Sequence, residues 1–270
     1  MKNMFTRLIS GIVFITIVIS SILVSPYTFV IAFSIITALA LREFHSLTNK
    51  KSEIEVNIPL AMVGGVILFI CSYLHSVNFT IFPVYNFYGF YLVVILIAEL
   101  FRKKQFPIQN WAYLILGQVM IALPFAILSN ILYIKDYQPI ILLAVFISIW
   151  VNDTGAYCTG MLLGKHKLFE RISPKKTWEG FLGGAAFVLL SGYLFSIYIK
   201  ELTLLQWFIY SEIIVIFGTL GDLSESLLKR SLGVKDSGNI IPGHGGMLDR
   251  FDSLMLAAPI VYIFLSIILK

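Results

Sequence analysis

The segment Leu8–Ser25 reads LISGIVFITIVISSILVS and holds no charged residue. As an α-helix it is long enough to cross about 30 Å of hydrocarbon. The run Ser253–Leu269, SLMLAAPIVYIFLSIIL, is nearly as long. The chain of 270 residues is 58% hydrophobic and only 13% charged, roughly half the charged fraction of a soluble domain, and its mean hydropathy is +0.88. The sequence therefore predicts an all-α, polytopic integral membrane protein.

Hydropathy predicts about nine transmembrane helices, with the N-terminus cytoplasmic and the C-terminus outside. Seventeen of the 20 Lys and Arg residues then fall in cytoplasmic segments, and three (Lys135, Lys200 and Lys270) fall outside. This bias explains the net charge of +5 without a nucleic-acid partner. We expect a single membrane domain over 1–270, with N-terminal helices in 1–137 and catalytic helices and cytoplasmic loops in 138–270. The predicted spans are 6–25, 27–42, 57–75, 81–101, 110–133, 138–160, 178–199, 203–223 and 252–269.

The stretch Ser226–Asp252 reads SLLKRSLGVKDSGNIIPGHGGMLDRFD and is far more polar than its surroundings. It contains cations, carboxylates, a histidine and five glycines. Such polar density is costly beside hydrocarbon and indicates function. If the eighth helix continues beyond its apolar part, Asp222, Glu225 and Lys229 share one face. A polar helix end that reaches into the membrane interface would produce the same pattern.

Three of the carboxylates in or beside this stretch are candidate metal ligands. Asp249 and Asp252 are three residues apart, so we expect both on one face of the first turn of the ninth helix. Acidic residues at a helix N-terminus also complement the helix dipole, which is the structural alternative. With Asp222 they form an oxygen donor set that suits Mg²⁺ bound together with substrate phosphates. Cys71 and Cys158 have no partner at metal-ligand spacing, so a softer metal is not indicated.

The residues between these carboxylates suit a polyphosphate. Glycine-rich backbone can present N–H groups to phosphate oxygens, and Lys229, Arg230 and Lys235 can neutralise their charge. A glycine-rich segment by itself is usually only a loop, and a single histidine such as His244 is more often structural than catalytic. The combination favours a phosphate-binding function.

A second polar loop covers about Gly164–Thr177 and contains the donor cluster SPKKT at 173–177. Asp153 lies upstream, within the sixth predicted span. Attraction of a basic loop to anionic lipid would explain the cluster without a substrate. The spacing at 160–166 departs from that of a nucleotide-binding P-loop. Because both polar loops are predicted on the cytoplasmic side, we expect one cytosol-facing active site assembled from both.

The pattern S-x2-K-R-x4-K-D-x-G-x2-I-P-x-H-G-G-x2-D-R-x-D over 226–252 resembles the signature of phosphatidate cytidylyltransferases, also called CDP-diacylglycerol synthases. Two upstream segments, D-x2-A-Y at 153–157 and SPKKTWEG at 173–180, also resemble motifs of that family. The resemblance covers the C-terminal half strongly and the N-terminal half by topology alone.

The resemblance implies a multi-pass enzyme of the bacterial inner (plasma) membrane whose active site faces the cytoplasm. It would make CDP-diacylglycerol and pyrophosphate from CTP and phosphatidic acid, a step of phospholipid biosynthesis. The cofactor would be Mg²⁺, with room for a second cation, and the protein would form a homodimer in the lipid bilayer.

The residues expected to carry this activity fall into three sets. The catalytic residues would be Asp222, Asp249, Lys229 and His244. The metal ligands would be Asp222, Asp249 and Asp252. The substrate-binding residues would be Ser173, Lys175, Lys176, Thr177, Arg230, Lys235, Asp236, Gly245, Gly246 and Arg250.

Two alternatives stay open. The nearest is another CTP-using lipid enzyme, either a polyprenol or diacylglycerol kinase or a cytidylyltransferase for a different lipid phosphate. An ion-coupled transporter with Asp153, Asp222 and Glu212 as its pathway belongs to a different class, and it predicts broken spans in two repeated halves. The chain shows no internal repeat, and most of its acids cluster at the predicted inner face.

Overall fold

The computed structural model describes residues 2–79 and 81–269, with side chains from residue 7 onwards; Lys270, which we assign to the outside, lies beyond the described residues. Within these ranges nine helices carry the fold. They are α1 (Lys2–Val24), α2 (Pro26–Thr48), α3 (Ile58–Ser76), α4 (Tyr85–Arg102), α5 (Pro107–Leu132), α6 (Pro139–Leu163), α7 (Trp178–Tyr198), α8 (Leu204–Ser231) and α9 (Leu254–Ile268).

Eight of these helices, α1 to α8, are long and apolar enough to cross a membrane. The ninth is apolar but has 15 residues, or about 22 Å of helix. The prediction of an all-α, polytopic membrane protein is confirmed. The orientation of the two termini stays a prediction. Helix α8 continues beyond its predicted end to Ser231, so Asp222 and Glu225 do share a helical face.

Helix α5 is not uniform along its length. It begins as α-helix over Pro107–Gly117, passes through a π-helical segment at Gln118–Ala122, and continues as α-helix over Leu123–Leu132. The buried Gln118 side chain donates a hydrogen bond to the Ala61 carbonyl of α3 at 2.8 Å. This bond ties the irregular segment to a neighbouring helix.

Side-chain caps fix where helices begin. The Ser25 hydroxyl accepts the Thr28 N–H at 3.2 Å, and the Thr28 hydroxyl accepts the Ser25 N–H at 3.1 Å, which forms a reciprocal capping box ahead of α2. Pro26 then occupies the first helical position, where its missing N–H costs nothing. In the same way, the Thr177 hydroxyl accepts the Gly180 N–H at 3.1 Å and starts α7.

The polar loops contain short ordered elements. Strand β1 (Lys167–Phe169) pairs antiparallel with β2 (Ser173–Thr177), and Lys167 lies opposite Thr177. The SPKKT cluster is therefore a strand of a hairpin rather than an irregular loop. Farther along, Leu248–Arg250 forms a single 3₁₀ turn.

The prediction that Asp249 and Asp252 share the first turn of the ninth helix is wrong. Asp249 lies in the 3₁₀ turn, and α9 begins only at Leu254. The Asp249 carboxylate accepts the Gly246 N–H at 2.8 Å, and Phe251 leaves helical backbone with φ −125° and ψ 13°. A short acidic side chain that binds nearby backbone competes with helix formation, and it does so here.

The structure divides into two compact units. The first contains the chain up to Tyr133 together with Leu232–Phe251, and the second contains Ile134–Ser231 together with the chain from Asp252 onwards. The expectation of one membrane domain, divided at 137 and 138, stays a prediction.

Aromatic packing anchors the end of the glycine-rich loop within the first unit. The buried Phe251 ring lies 5.0 Å from that of Phe125, 5.4 Å from that of Phe14 and 6.5 Å from that of Phe33, measured between centroids. Edge-on aromatic pairs of this kind add to the energy of burial. They fix the position at which the chain leaves the 3₁₀ turn.

The buried carboxylate of Glu99, in the first unit, has a hydrogen-bond partner on each oxygen. The Glu99 carboxylate accepts hydrogen bonds from Arg102 at 2.7 Å and from the Asn110 amide at 2.6 Å. Asn110 in turn accepts the Glu55 N–H at 2.7 Å. This network joins α4, α5 and the loop before α3, and it accounts for Glu99 as a structural residue.

Glycine lets α8 approach the start of α9 in the second unit. A Cβ at Gly221 would lie 2.6 Å from the carbonyl oxygen of Asp252 and 3.1 Å from that of Ser253. Both atoms belong to backbone, which cannot rotate away as a flexible side chain could. The close approach therefore depends on the absence of a side chain at Gly221.

We expect Gly221→Ala to lower the melting temperature of the purified protein. Alanine gains about 1 kcal/mol of helix propensity, but overpacking against backbone costs about 1–3 kcal/mol and outweighs it at this distance. Gly89→Ala in α4 is the matched control, because a Cβ there meets nothing within 4 Å. Thermal unfolding in detergent should show a lower melting temperature for Gly221→Ala and the wild-type melting temperature for Gly89→Ala. Equal melting temperatures for the two variants would contradict the packing argument.

Candidate active site

A cleft of about 370 Å³ opens in the second unit, a size typical of small-molecule sites. It is lined by α6, the β1–β2 hairpin, α7 and α8. The structure thus brings the upstream motifs together with Asp222, while the expectation of one site assembled from both polar loops stays a prediction. The polar lining residues are Asn152, Asp153, Lys175, Lys176, Thr177, Thr219 and Asp222.

An ion pair connects the two sides of this cleft. The Lys176 ammonium of β2 lies 2.6 Å from the Asp222 carboxylate of α8, and the two side chains are 28% and 27% exposed. Asp222 also accepts a hydrogen bond from the Ser226 hydroxyl one helical turn later, at 3.2 Å. Lys175 is exposed and lines the same cleft. The cleft can therefore offer two ammonium groups to a polyanion.

Carboxylates gather near the start of α9. Burial, followed by the negative charges of Asp222, Glu225 and Asp153, raises the pKa of Asp252 well above its ordinary value. The Asp252 carboxylate accepts the Ser253 N–H at 2.6 Å, which opposes this shift but does not cancel it. The cluster therefore concentrates negative charge that a cation would relieve.

The chemistry of this donor set fits Mg²⁺. In the part of the chain that the structure describes, no three His, Cys, Asp or Glu side chains group into a metal site by themselves. Mg²⁺ commonly takes only one or two protein carboxylates and completes its shell with water and substrate phosphates. Asp222 and Asp252 of the second unit can supply such a pair.

Lys229, expected to be catalytic, has a structural environment. Its side chain is buried, and its ammonium lies 2.5 Å from the Glu225 carboxylate one turn earlier in α8. Glu225 itself has no exposed surface. Arg230, by contrast, is exposed. The geometry of Lys229 is that of a buried ion pair, and its proposed catalytic role stays a prediction.

Glu179, whose role the sequence left open, fastens the hairpin to α7. Its carboxylate accepts the backbone N–H of Lys165 at 3.0 Å and lies 2.5 Å from Nδ1 of His166. Thr177, expected to bind substrate, is buried and caps the same helix with its hydroxyl. Glu179 therefore ties the start of the hairpin to α7, and Thr177 joins the end of β2 to the same helix.

The glycine-rich loop forms a tight turn in the first unit. The Ile241 N–H donates to the Gly245 carbonyl, and the His244 N–H donates to the Ile241 carbonyl, both at 3.0 Å. Gly243 and Gly245 have φ angles of +77° and +88°. These angles lie in the left-handed region, which glycine adopts without steric cost.

Asp249 joins two parts of this loop. Its carboxylate accepts the Ser237 N–H at 3.0 Å and the Gly246 N–H at 2.8 Å. Lys235, Asp236 and Arg250 of the same segment are exposed. These hydrogen bonds hold the Asp249 carboxylate against the loop backbone, and the metal role expected of Asp249 stays a prediction.

His244 contacts the first helix. Its Nδ1 lies 2.8 Å from the Ser10 hydroxyl oxygen, which also donates to the Pro242 carbonyl at 2.9 Å. Burial, followed by the positive charges of Arg250 and Arg7, lowers the pKa of His244. Both effects favour the neutral form of the imidazole.

Glu43 of α2 is a residue that the sequence reasoning missed. It is 5% exposed, and its carboxylate accepts the Leu248 N–H at 2.9 Å and the Ser237 hydroxyl at 3.3 Å. It therefore supports the 3₁₀ turn from which Asp249 projects. An acid at the end of an apolar span was the available signal, but its partners lie about two hundred residues away.

Comparison with known proteins identifies the family. A family model described as "Cytidylyltransferase family" matches residues 5–268. The chain belongs to the cytidylyltransferase family. It is therefore a nucleotidyltransferase enzyme, as the signature motif predicted.

Relatives of this cytidylyltransferase carry a more specific name. A phosphatidate cytidylyltransferase of Bacillus subtilis is 31% identical over 99% of both chains. A protein of the same name from Staphylococcus saprophyticus is 50% identical over 46% of this chain and 48% of its own length. Another from Staphylococcus aureus is 48% identical over the same shares.

The expected site residues of this cytidylyltransferase are divided between the two units. The second unit brings Lys175, Lys176, Thr177 and Asp222 around the cleft, with Asp252 near Asp222 and Ser173 at the far end of β2. The roles given to all of them stay predictions. The first unit contains Lys235, Asp236, His244, Gly245, Gly246, Asp249 and Arg250.

We expect Glu43→Ala to reduce both stability and turnover. Removal of the carboxylate leaves the Leu248 N–H and the Ser237 hydroxyl without this acceptor, at a cost of about 1–3 kcal/mol. Glu43→Gln keeps one carbonyl acceptor, so its stability and turnover should fall less. Glu53→Ala, at an exposed position of the same unit, is the control. Melting temperature and initial rate should fall in the order control, Gln, Ala, and a Glu43→Ala variant that equals the control in both would remove the supporting role.

Proposed function

We propose that this enzyme transfers the cytidylyl group of CTP to phosphatidic acid, giving CDP-diacylglycerol and pyrophosphate. The observation that carries the proposal is the cleft in which Lys175 and Lys176 face Asp222 beside a cluster of acids. The names of the relatives support the choice of lipid. The apolar helices support a multi-pass enzyme that meets its lipid within the membrane.

The reaction requires little proton transfer. An oxygen of the lipid phosphate attacks the α-phosphorus of CTP, and a new phosphoanhydride bond forms. The bond from the α-phosphorus to the bridging oxygen breaks, and pyrophosphate leaves with the electron pair. The attacking oxygen is already ionised, so no strong general base is needed. Catalysis then depends on alignment of the two substrates and on neutralisation of the leaving group.

The lysines of β2 suit the leaving group. Lys175 and Lys176 can bind the β- and γ-phosphates of CTP, because ammonium groups form charge-assisted hydrogen bonds with phosphate oxygens. Lys176 is paired with Asp222 in this structure, so phosphate binding would exchange one anionic partner for another. Pairing with β1 and the Thr177 cap on α7 fix the position of the strand that carries both lysines.

The acids complete the proposed site. Asp222 and Asp252 of the second unit would hold Mg²⁺, and the metal role expected of Asp249 in the first unit stays a prediction. The chemistry supplied by the bound ion would be neutralisation of the phosphate charge during the displacement. His244, neutral and held by Ser10, would act as a hydrogen-bonding group rather than as an acid or a cation. The cytosol-facing site, the bacterial inner membrane and the homodimer are further parts of this proposal that follow from the resemblance.

The decisive experiment is a product assay with purified protein, CTP, phosphatidic acid and Mg²⁺. Formation of CDP-diacylglycerol with equimolar pyrophosphate supports the proposal, and chelation of Mg²⁺ by EDTA should abolish it. Release of CDP would instead indicate a lipid kinase. Pyrophosphate release only with a different lipid phosphate would reassign the acceptor.

In the same assay, Asp249→Asn should lower turnover by at least ~100-fold, because the amide replaces a charged oxygen ligand. Asp136→Asn, at an exposed carboxylate of the second unit, should keep full activity. Gel filtration and thermal unfolding would verify that both variants are folded. Near-wild-type turnover of folded Asp249→Asn would exclude this residue from the metal site.

We expect Lys175→Ala to raise the KM for CTP about tenfold, which corresponds to ~1.4 kcal/mol, with little change in the KM for the lipid. Lys167→Ala is the matched control, because Lys167 is exposed on the opposite strand of the hairpin and does not line the cleft. Initial rates with one substrate varied at a time give both constants. A selective change in the KM for phosphatidic acid would assign this strand to the lipid instead.

A further inference from the structure

A second cavity, of about 490 Å³, lies between α1 and α2 in the first unit. It is a groove whose walls are almost entirely apolar, with Ile17 and Val24 on one side and Ile31, Ala32 and Ile35 on the other. The residues of α2 that line it extend from Thr28 to Leu39, about 16 Å along the helix axis. The groove therefore has the form of an elongated apolar channel between two membrane helices.

One end of the groove meets the glycine-rich loop. Met247 of that loop lines the groove together with the two helices, and it lies between His244 and Asp249 in the chain. No other part of the loop lines the groove among the described residues. The groove thus connects the apolar interior directly with the segment that carries the expected catalytic residues.

The face of α1 that leads to the groove changes from polar to apolar along its length. Ser10, Phe14 and Ile17 follow one another at spacings of four and three, so they lie on one face. Ser10 hydrogen-bonds to the loop at His244, Phe14 packs on Phe251, and Ile17 lines the groove. Along this face, α1 therefore first contacts the glycine-rich loop and then forms an apolar wall of the groove.

Positive charge surrounds the loop end. A Cβ on Gly243 would lie 2.8 Å from Cγ of Arg7, so the Arg7 side chain lies against the loop. The positive charges of Arg7 and Arg250 both act on His244. A long apolar groove with cations at one end matches a lipid whose acyl chain ends in a phosphate monoester. An electrically neutral lipid or an uncharged helix of a partner would not use these charges.

From this arrangement we infer that the groove between α1 and α2 binds one acyl chain of the phosphatidic acid substrate, with the headgroup end at Met247. The inference rests on the proposed function, and it adds the location and the chemistry of the acyl-chain site. Since many lining residues are exposed and apolar, the chain can enter from the bilayer without leaving hydrocarbon.

The test is a substitution that fills the groove. Ala32→Phe places a ring between α1 and α2, whereas Ala38→Phe is the matched control on the same helix, half-buried like Ala32 but outside the groove. Each purified protein is assayed in detergent micelles with dioleoyl and with dihexanoyl phosphatidic acid. The measured quantity is the ratio of kcat/KM for the long-chain lipid to that for the short-chain lipid. Partial unfolding lowers both values equally and leaves the ratio unchanged.

We expect Ala32→Phe to lower this ratio at least tenfold and to leave the KM for CTP unchanged, while Ala38→Phe keeps the wild-type ratio. An unchanged ratio in Ala32→Phe would overturn the inference and would fit a bulk bilayer lipid or a second protein copy in the groove. An equal fall in both variants would overturn it as well. Wild-type protein that converts neither lipid would refute the proposed function itself, which distinguishes that failure from a failure of the groove assignment.

Discussion

The structure depends on one constraint, which is that ionised side chains close to hydrocarbon need compensation. An uncompensated charge at that depth costs several kcal/mol, so natural membrane proteins pair such groups or use them. Glu99 is satisfied by Arg102 and Asn110, and Glu225 lies against Lys229. Each of these pairs joins elements or stiffens a helix end. The acids beside the cleft differ, because burial and then the neighbouring negative charges raise the pKa of Asp252, and a cationic ligand would relieve both effects.

Hydropathy predicted the helices well because the requirement for internal backbone hydrogen bonding leaves a membrane segment little choice but helix. The end of the eighth helix was predicted less well, because hydropathy ended that span at 223 whereas α8 continues to Ser231. The start of α9 could not be predicted from the sequence pattern. A spacing of three residues fits a helical turn, but the Asp249 carboxylate binds the loop backbone instead, and no periodicity reveals that competition.

The residue types of the site could be predicted from the sequence, but several of their structural contacts could not. The Thr177 hydroxyl caps α7, which the pattern did not indicate, and the substrate-binding role expected of Thr177 stays a prediction. Glu179 had no assigned role, and it fixes the turn before β1. Glu43 was overlooked because its partners, Ser237 and Leu248, are remote in the chain. Long-range hydrogen bonds of this kind leave no local sequence pattern. A motif can therefore indicate the chemistry of a site without indicating the residues that hold it in position.

The hydrogen bond between Ser10 and His244 has a practical consequence for work with this family. A first transmembrane helix is commonly treated as a generic anchor that can be exchanged for another hydrophobic segment or fused to a tag without harm. Here that helix supplies a polar partner to the loop and one wall of a groove that reaches it. A replacement helix could restore membrane insertion in full while altering the chemistry at His244. Chimeric proteins that retain targeting but lose activity would then report on this contact rather than on misfolding.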